Sequence, residues 1–323
     1  MKRRHAVAAL SFTLLALTQA AAAQGYPSKP IRLVVPFAAG GPTDTLARGF
    51  AVQLGETLKQ QVFVENKGGA GGNLGVDVVA KAAPDGYTIA LGTNGPLAGN
   101  LALFKSMPYD PAKDLAPIAR IAIVPNVIAV NPSVPAKSMG ELVALLKAHP
   151  DEYSFASGGN GTTSHLGGEY LKLMTGTRMT HVPYKGDAPG LVDTIGGQIP
   201  IIIASLAATV PYVQSGKLRA LAVTSRNRVH ALQDVPTVAE TVVPNFDFAA
   251  WYGLVAPAGT PREIVQKLSA ASLQVVASKQ MTDRLATLGG VPAPMGADEF
   301  TAYIKTEIPR WGQIIKQTGA KAD

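Results

Sequence analysis

Short apolar runs alternate with amphipathic ones along most of the chain. Residues 31–37, 62–65, 87–93, 127–131, 153–157, 178–184, 199–205, 218–224 and 251–257 are brief and rich in β-branched or apolar residues, which predicts strands. Between the first two, Leu46, Phe50, Leu54 and Leu58 recur every fourth residue and lay an apolar stripe along one helix face. Ser138-Met139-Gly140-Glu141, Thr237-Val238-Ala239-Glu240 and Thr260-Pro261-Arg262-Glu263 match the capping box that starts a helix, the last with Pro at the first helical position. Strands alternating with helices predict an α/β fold of two lobes with mostly parallel sheets. Turn residues at Pro125, Asn131-Pro132 and Pro244-Asn245-Phe246-Asp247 mark where the chain would leave one lobe and return to it. The expected division is residues 24–125 and 249–323 for a discontinuous first lobe, with 126–248 inserted as the second.

The N-terminus changes the picture of where the protein works. Met1-Lys2-Arg3-Arg4, an apolar run over 6–17 and Ala21-Ala22-Ala23 have the order of a secretory signal peptide, residues 1–23, cleaved after Ala23. The apolar run is shorter than the ~20 residues that span a bilayer. Its removal leaves 300 of the 323 residues and takes three positive charges from a net +7. The remaining balance is mildly basic, and no Lys/Arg cluster points to nucleic acid. There is no cysteine, which excludes disulfides, thiolate metal sites and a cysteine nucleophile.

Two loops carry the candidate chemistry. Pro36-Phe37-Ala38-Ala39-Gly40-Gly41-Pro42-Thr43-Asp44 and Ala156-Ser157-Gly158-Gly159-Asn160-Gly161-Thr162-Thr163-Ser164-His165 each follow a strand-like run and open a helix-like one. The start of a helix carries unpaired N–H donors and a partial positive charge, so it attracts anions. Small and hydroxyl residues there let a carboxylate approach the backbone closely. The same residues also suit ordinary strand–turn–helix connections, and His165 also suits local packing or capping. Asn94 ends a strand and offers an amide, or simply makes a turn. Tyr184 is placed to line a pocket, and Asp187 either meets a ligand donor or caps the next helix. Trp251-Tyr252 fits a cleft wall or buried core.

Other motifs are excluded. No frame of residues 68–75 gives G-x-G-x-x-G, and no Gly-Lys-Ser/Thr of a phosphate-binding loop occurs. No G-x-S-x-G or H-E-x-x-H is present. His149, His165, His181 and His230 lack metal-ligand spacing. No cofactor, metal or catalytic residue is expected. The alternative from another class is a secreted hydrolase using Ser157 and His165.

The chain resembles the substrate-binding receptors of tripartite tricarboxylate transporters, the Bug-type periplasmic proteins. The resemblance is carried by Tyr26 to Phe37, Val64-Glu-Asn-Lys-Gly-Gly-Ala-Gly-Gly-Asn73, Ala83-Pro-Asp-Gly-Tyr-Thr88, Gly158 to His165, His181-Val-Pro-Tyr-Lys-Gly186, Gly216 to Thr224, Asp234 to Glu240 and Ala256 to Pro261. It covers essentially the whole mature chain. It implies a type II periplasmic binding fold whose two lobes close on a ligand, a monomer without catalysis, and delivery of a small organic carboxylate to integral membrane subunits of a cation-coupled importer. Service to a signalling complex is the alternative role. The implied contacts are Phe37, Ala39, Gly40, Gly41 and Thr43 on the first loop. On the second they are Ser157, Gly159, Asn160, Gly161, Thr162 and Thr163, with Asp187 near the distal part of the ligand; His165, Asn94, Tyr184 and Ala204 complete the candidate contacts from the reading of the residues themselves. Two departures matter. Ala38 and Ala39 stand where the family usually has prolines, and Pro200 and Ala204 where it usually has acidic residues. The missing carboxylate near Ala204 points to an amine-free ligand, such as an aromatic or dicarboxylic acid.

Overall fold

The computed structural model describes residues 25–184 and 186–320. The expected signal peptide and Lys185 lie outside the described residues. The chain runs β1 (Ile31–Val35), α1 (Pro42–Leu58), β2 (Val62–Asn66), α2 (Asn73–Ala80), β3 (Thr88–Thr93), α3 (Asn100–Leu103), β4 (Leu115–Val124) and β5 (Asn126–Val130). It continues through α4 (Met139–Ala148), β6 (Ser154–Ser157), α5 (Thr163–Thr175), β7 (Thr180–Pro183), α6 (Asp187–Ile195), β8 (Ile201–Ser205), α7 (Leu206–Gln214) and β9 (Arg219–Val223). It ends with α8 (Val238–Thr241), β10 (Ala250–Pro257), α9 (Arg262–Val276), α10 (Lys279–Thr287), β11 (Val291–Met295) and α11 (Ala297–Thr318).

These strands form two sheets, ordered β11-β4-β10-β3-β1-β2 and β7-β6-β8-β5-β9. The chain passes from the first to the second at Pro125, between β4 and β5, and returns with β10. The sheets are mixed rather than mostly parallel, which corrects the sequence expectation. β1 pairs in parallel with β2 and β3, and β6 with β7 and β8. The strands next to the two passages reverse that sense: β10 is antiparallel to β3 and β4, and β5 is antiparallel to β8 and β9. The passages are stitched together, because Asn126 N donates to Thr224 Oγ1 (2.9 Å) and Phe248 N to Thr224 O (2.9 Å).

The apolar stripe of α1 does what its spacing predicts: Leu46, Phe50 and Leu54 are buried against β1 and β3 side chains. β1 is buried on both faces at Leu33, Val34 and Val35, as expected for a strand covered by helices on each side. A second apolar cluster spans both sheets through Leu166, Phe246, Phe248 and Trp311, so the return segment packs on α5 and α11. There Glu307, 4% exposed, accepts from the indole N–H of Trp251 (3.0 Å) and Trp311 (2.9 Å) and pairs with Arg310. Of the predicted caps, Thr237 and Glu240 form the reciprocal box. Ser138 accepts from Glu141 N, but the Glu141 carboxylate turns to Lys137 N instead. Thr260 does not cap α9: its hydroxyl donates to Pro257 O, and Pro261 occupies the cap position.

Candidate functional site

The two loops meet across the space between the sheets. A cavity of about 450 Å³ is lined on the first-sheet side by Phe37, Thr43, Asn94, Leu103 and Tyr252, and on the other by Asn160, Gly161, Thr162 and Thr163. The sequence-predicted Phe37, Thr43, Asn94, Asn160, Gly161, Thr162 and Thr163 are thus brought together. The approach is close. A Cβ on Gly161 would lie 2.8 Å from Leu103 Cδ2 on the facing side.

The first loop is held by Asp44, 3% exposed. Its carboxylate accepts from Gly40 N, Arg48 Nε and Asn66 Nδ2, each at 2.9 Å. The Arg48 guanidinium leads in holding this carboxyl below the usual carboxylate range, against the upward push of burial. Gly40's amide is therefore used by the protein itself. Ala39, Gly40 and Gly41 do not line the cavity, and Ala39 and Gly40 are exposed. What this loop presents is Thr43 and the start of α1, which has Gly41 at its cap position and no side-chain cap.

The second loop is also braced from within. Gly159 N donates to Ser157 Oγ (3.2 Å), Gly158 N to Ser164 Oγ (3.3 Å) and Gly161 N to His165 Nδ1 (3.0 Å). Thr162 caps α5 by accepting from His165 N. The expected nest of free amides is thus replaced by an inner lattice that consumes the Gly158, Gly159 and Gly161 donors and stiffens the loop. Thr163 behaves differently. Its Oγ1 accepts from Asn126 Nδ2 (3.0 Å), which leaves the O–H to donate.

Ser157, Gly159, His165, Tyr184 and Ala204 line neither this cavity nor the next one. Ser157 is 1% exposed, and its Oγ lies 2.6 Å from His181 Nε2. His165 stacks on His181 at 4.1 Å between ring centroids. Burial pushes both imidazoles down, His181 to about 4 with His165 adding to it, so both are neutral at pH 7. The hydrolase pairing of Ser157 with His165 does not form: the Ser157 hydroxyl pairs with His181 Nε2, and His165 Nδ1 is occupied by Gly161 N. Tyr184 donates to Asp193 Oδ2 at 2.5 Å, which pushes its phenol up to about 12. Ala204 is fully buried in an apolar cluster. Strand side chains alternate between faces, so its neighbour Ser205 is the one that reaches the cleft.

A second cavity of about 590 Å³ adjoins the first and shares Thr162, Thr163, Ala250 and Tyr252 with it. Asp187 lines it, accepting from Ser205 N (3.0 Å) and Ser205 Oγ (2.5 Å). Gly158 is needed beside it, since a Cβ there would sit 2.7 Å from Asp187 Oδ1. Tyr252, 8% exposed, stands at the junction of the two cavities, and burial raises its phenol. Sequence reasoning named Tyr252 but did not count it among the contacts, and it missed Ser205, Asn126, Leu103 and Asn100. Ser205 has a readable signal, a hydroxyl between a strand and a helix start.

A further cavity of about 650 Å³ lies by the return segment, with Arg120, Arg226, Arg228, Arg310, Asp247 and Glu307 in its wall. Most of these charges are engaged by the protein: Arg120 on Ala293 O, Arg228 on Glu240, and Arg310 on Glu307. Among the described residues no cluster of three or more His, Asp or Glu forms a metal site. No described helix is long and apolar enough to cross a membrane.

Residues 46–320 match the family described as tripartite tricarboxylate transporter family receptor. Protein BugT of Bordetella pertussis is 37% identical over 322 residues, covering 99% of each chain. The solved structure of R. palustris Rpa4515 with adipate is 38% identical with a TM-score of 0.78, covering 92% of this chain and 99% of its own. That of MatC from Rhodopseudomonas palustris with bound malate is 33% identical with a TM-score of 0.73, covering 90% and 100%.

Proposed function

Because the chain belongs to the tripartite tricarboxylate transporter receptor family, we propose that it captures a small organic carboxylate between two lobes and delivers it to the membrane subunits of a cation-coupled importer. Members of this family are periplasmic solute-binding proteins, not enzymes. The proposed lobes are residues 24–125 with 249–323, and 126–248, working as a monomer after removal of residues 1–23 during export to the periplasm.

One observation carries the reading. Thr43 and Asn94 on one side, and Gly161, Thr162 and Thr163 on the other, line a single cavity. A carboxylate there would accept from hydroxyls, the Asn94 amide and the uncapped start of α1, in place of water. Donors fixed by an inner lattice need little reorganisation to receive it, which offsets the cost of desolvating the anion. Closure follows if the guest touches both sides at once and so binds the shut form more tightly than the open one. The relatives solved with adipate and malate support a carboxylate as the ligand class.

The test is a thermal-shift and calorimetric screen of the mature protein against carboxylates, neutral sugars and amines. Carboxylates should raise the melting temperature. Stabilisation by sugars or amines alone would overturn the assignment. Loss of carboxylate uptake in a strain lacking the protein would support the transport role, whereas unchanged uptake with a lost transcriptional response would favour a signalling complex.

A further inference from the structure

The second cavity differs in chemistry from the first, and the difference bears on which carboxylate fits. It is walled by Leu46, Val124, Ala207, Ala208, Leu285 and Leu288. These come from both sides of the cleft, and they meet the polar cavity at Tyr252 and Thr162–Thr163. Among the described residues, neither cavity has a Lys, Arg or His in its wall, and Asp187 is the one carboxylate. The donors nearest to Asp187 are spent, because the amide and hydroxyl of Ser205 both go to its Oδ2.

We infer that the ligand is a monocarboxylate with an apolar body: its carboxylate sits between Thr43 and Thr163, and its aromatic ring or short alkyl body fills the Leu46–Leu288 cavity, where Asp187 excludes a second carboxylate. This rests on the carboxylate-receptor reading and narrows its substrate class. The physical basis is asymmetric. An apolar body entering such a pocket releases water from apolar surface on both partners. A second ionised carboxylate would instead lose its hydration against leucine and alanine side chains, next to a like charge, with no cation to pair with among the described residues and only the backbone start of α7 to receive it. The same Asp187 can accept from a neutral donor, so a hydroxyl on the body is tolerated while an anion is not.

Matched pairs test it by calorimetry on the mature protein: benzoate against terephthalate, and hexanoate against adipate. The monoacid of each pair should bind at least about tenfold more tightly. Asp187→Asn, which keeps an oxygen to accept from Ser205, should narrow that gap by strengthening diacid binding. Ala208→Lys, which puts a cation in the apolar wall, should narrow or invert it independently. Diacids binding more tightly than their monoacid partners would overturn the inference while leaving the carboxylate receptor intact. If no acid of either kind binds, the receptor reading falls and this inference with it.

Discussion

Gly161 and Leu103 approach each other closely across the first cavity, so this contact offers a sharp perturbation. Gly161→Ala adds one methyl group. The backbone there has φ +75°, a left-handed conformation that costs a non-glycine residue ~1–2 kcal/mol. That part weakens the loop whether or not ligand is present. The added Cβ also falls 2.8 Å from Leu103 Cδ2, against a normal carbon contact of ~3.5–4.0 Å. The half-buried Leu103 side chain must turn away or one side must retreat by about 1 Å, and overpacking of this kind costs up to ~1–3 kcal/mol. Because it arises only when the two sides are together, this second cost appears in ligand affinity as a loss of up to ~150-fold. Titration calorimetry with a carboxylate that binds the parent reads it directly. Leu103→Ala in the same chain removes the obstructing methyl and should restore most of the lost affinity, a non-additivity expected only of residues in contact. Parent-like affinity in Gly161→Ala, or an undiminished loss in the double variant, would refute the claim that α3 and the second loop meet when ligand binds.

Three further outcomes follow from other parts of the molecule. Thr163→Val removes a hydroxyl assigned to the carboxylate and should weaken binding ~10-fold or more, since hydrogen bonds to charged groups contribute ~1.5–3 kcal/mol; an unchanged dissociation constant would remove Thr163 from the site. Glu307→Leu leaves the Trp251 and Trp311 N–H groups and Arg310 without their acceptor, and should cost ~3–5 kcal/mol in urea denaturation, whereas a loss under about 1 kcal/mol would show that the return segment is braced by packing alone. The depressed pKa values of His165 and His181 mean that the folded protein binds fewer protons than the unfolded chain below the ordinary imidazole value near ~6.5, in the case of His181 down to about 4. Their contribution to stability is therefore present above ~6.5 and is lost as pH falls through that window. An NMR titration should place the His181 midpoint near 4, and a midpoint at or above ~6.5 would contradict the buried placement.

Much of the fold is legible because strand runs and apolar stripes are local signals. All nine apolar runs read from the sequence fall on strands, within a few residues of their observed ends. The two strands that escaped are instructive. β11 carries Pro292 and Pro294, which argue against a strand, yet it sits at a sheet edge where a missing N–H is tolerated. β4 holds Pro117 and Arg120 within ten residues and lacks a clean alternation, and irregular pairing with β10 accommodates it. The site was legible in outline for the same local reason, since both glycine-rich loops follow strands. Its details were not. Ile201–Ser205 is apolar at every position but the last, so sequence alone does not say which face Ala204 takes. The engagement of Gly40 by Asp44, and of Gly161 by His165, depends on rotamers inside each turn. The apolar cavity draws Leu46, Val124, Ala208 and Leu288 from four separated segments, a juxtaposition that only the tertiary fold creates.

The proposed function depends on a single guest being held by groups from both sheets at once. A crystal structure of the mature protein grown with a tightly binding carboxylate tests this most directly. It should place the carboxylate oxygens about 3 Å from donors at Thr43 or the start of α1 and, simultaneously, from donors among Asn160 to Thr163. A carboxylate resting on one side alone, or lodged in the arginine-lined cavity by Arg120 and Arg310, would contradict it.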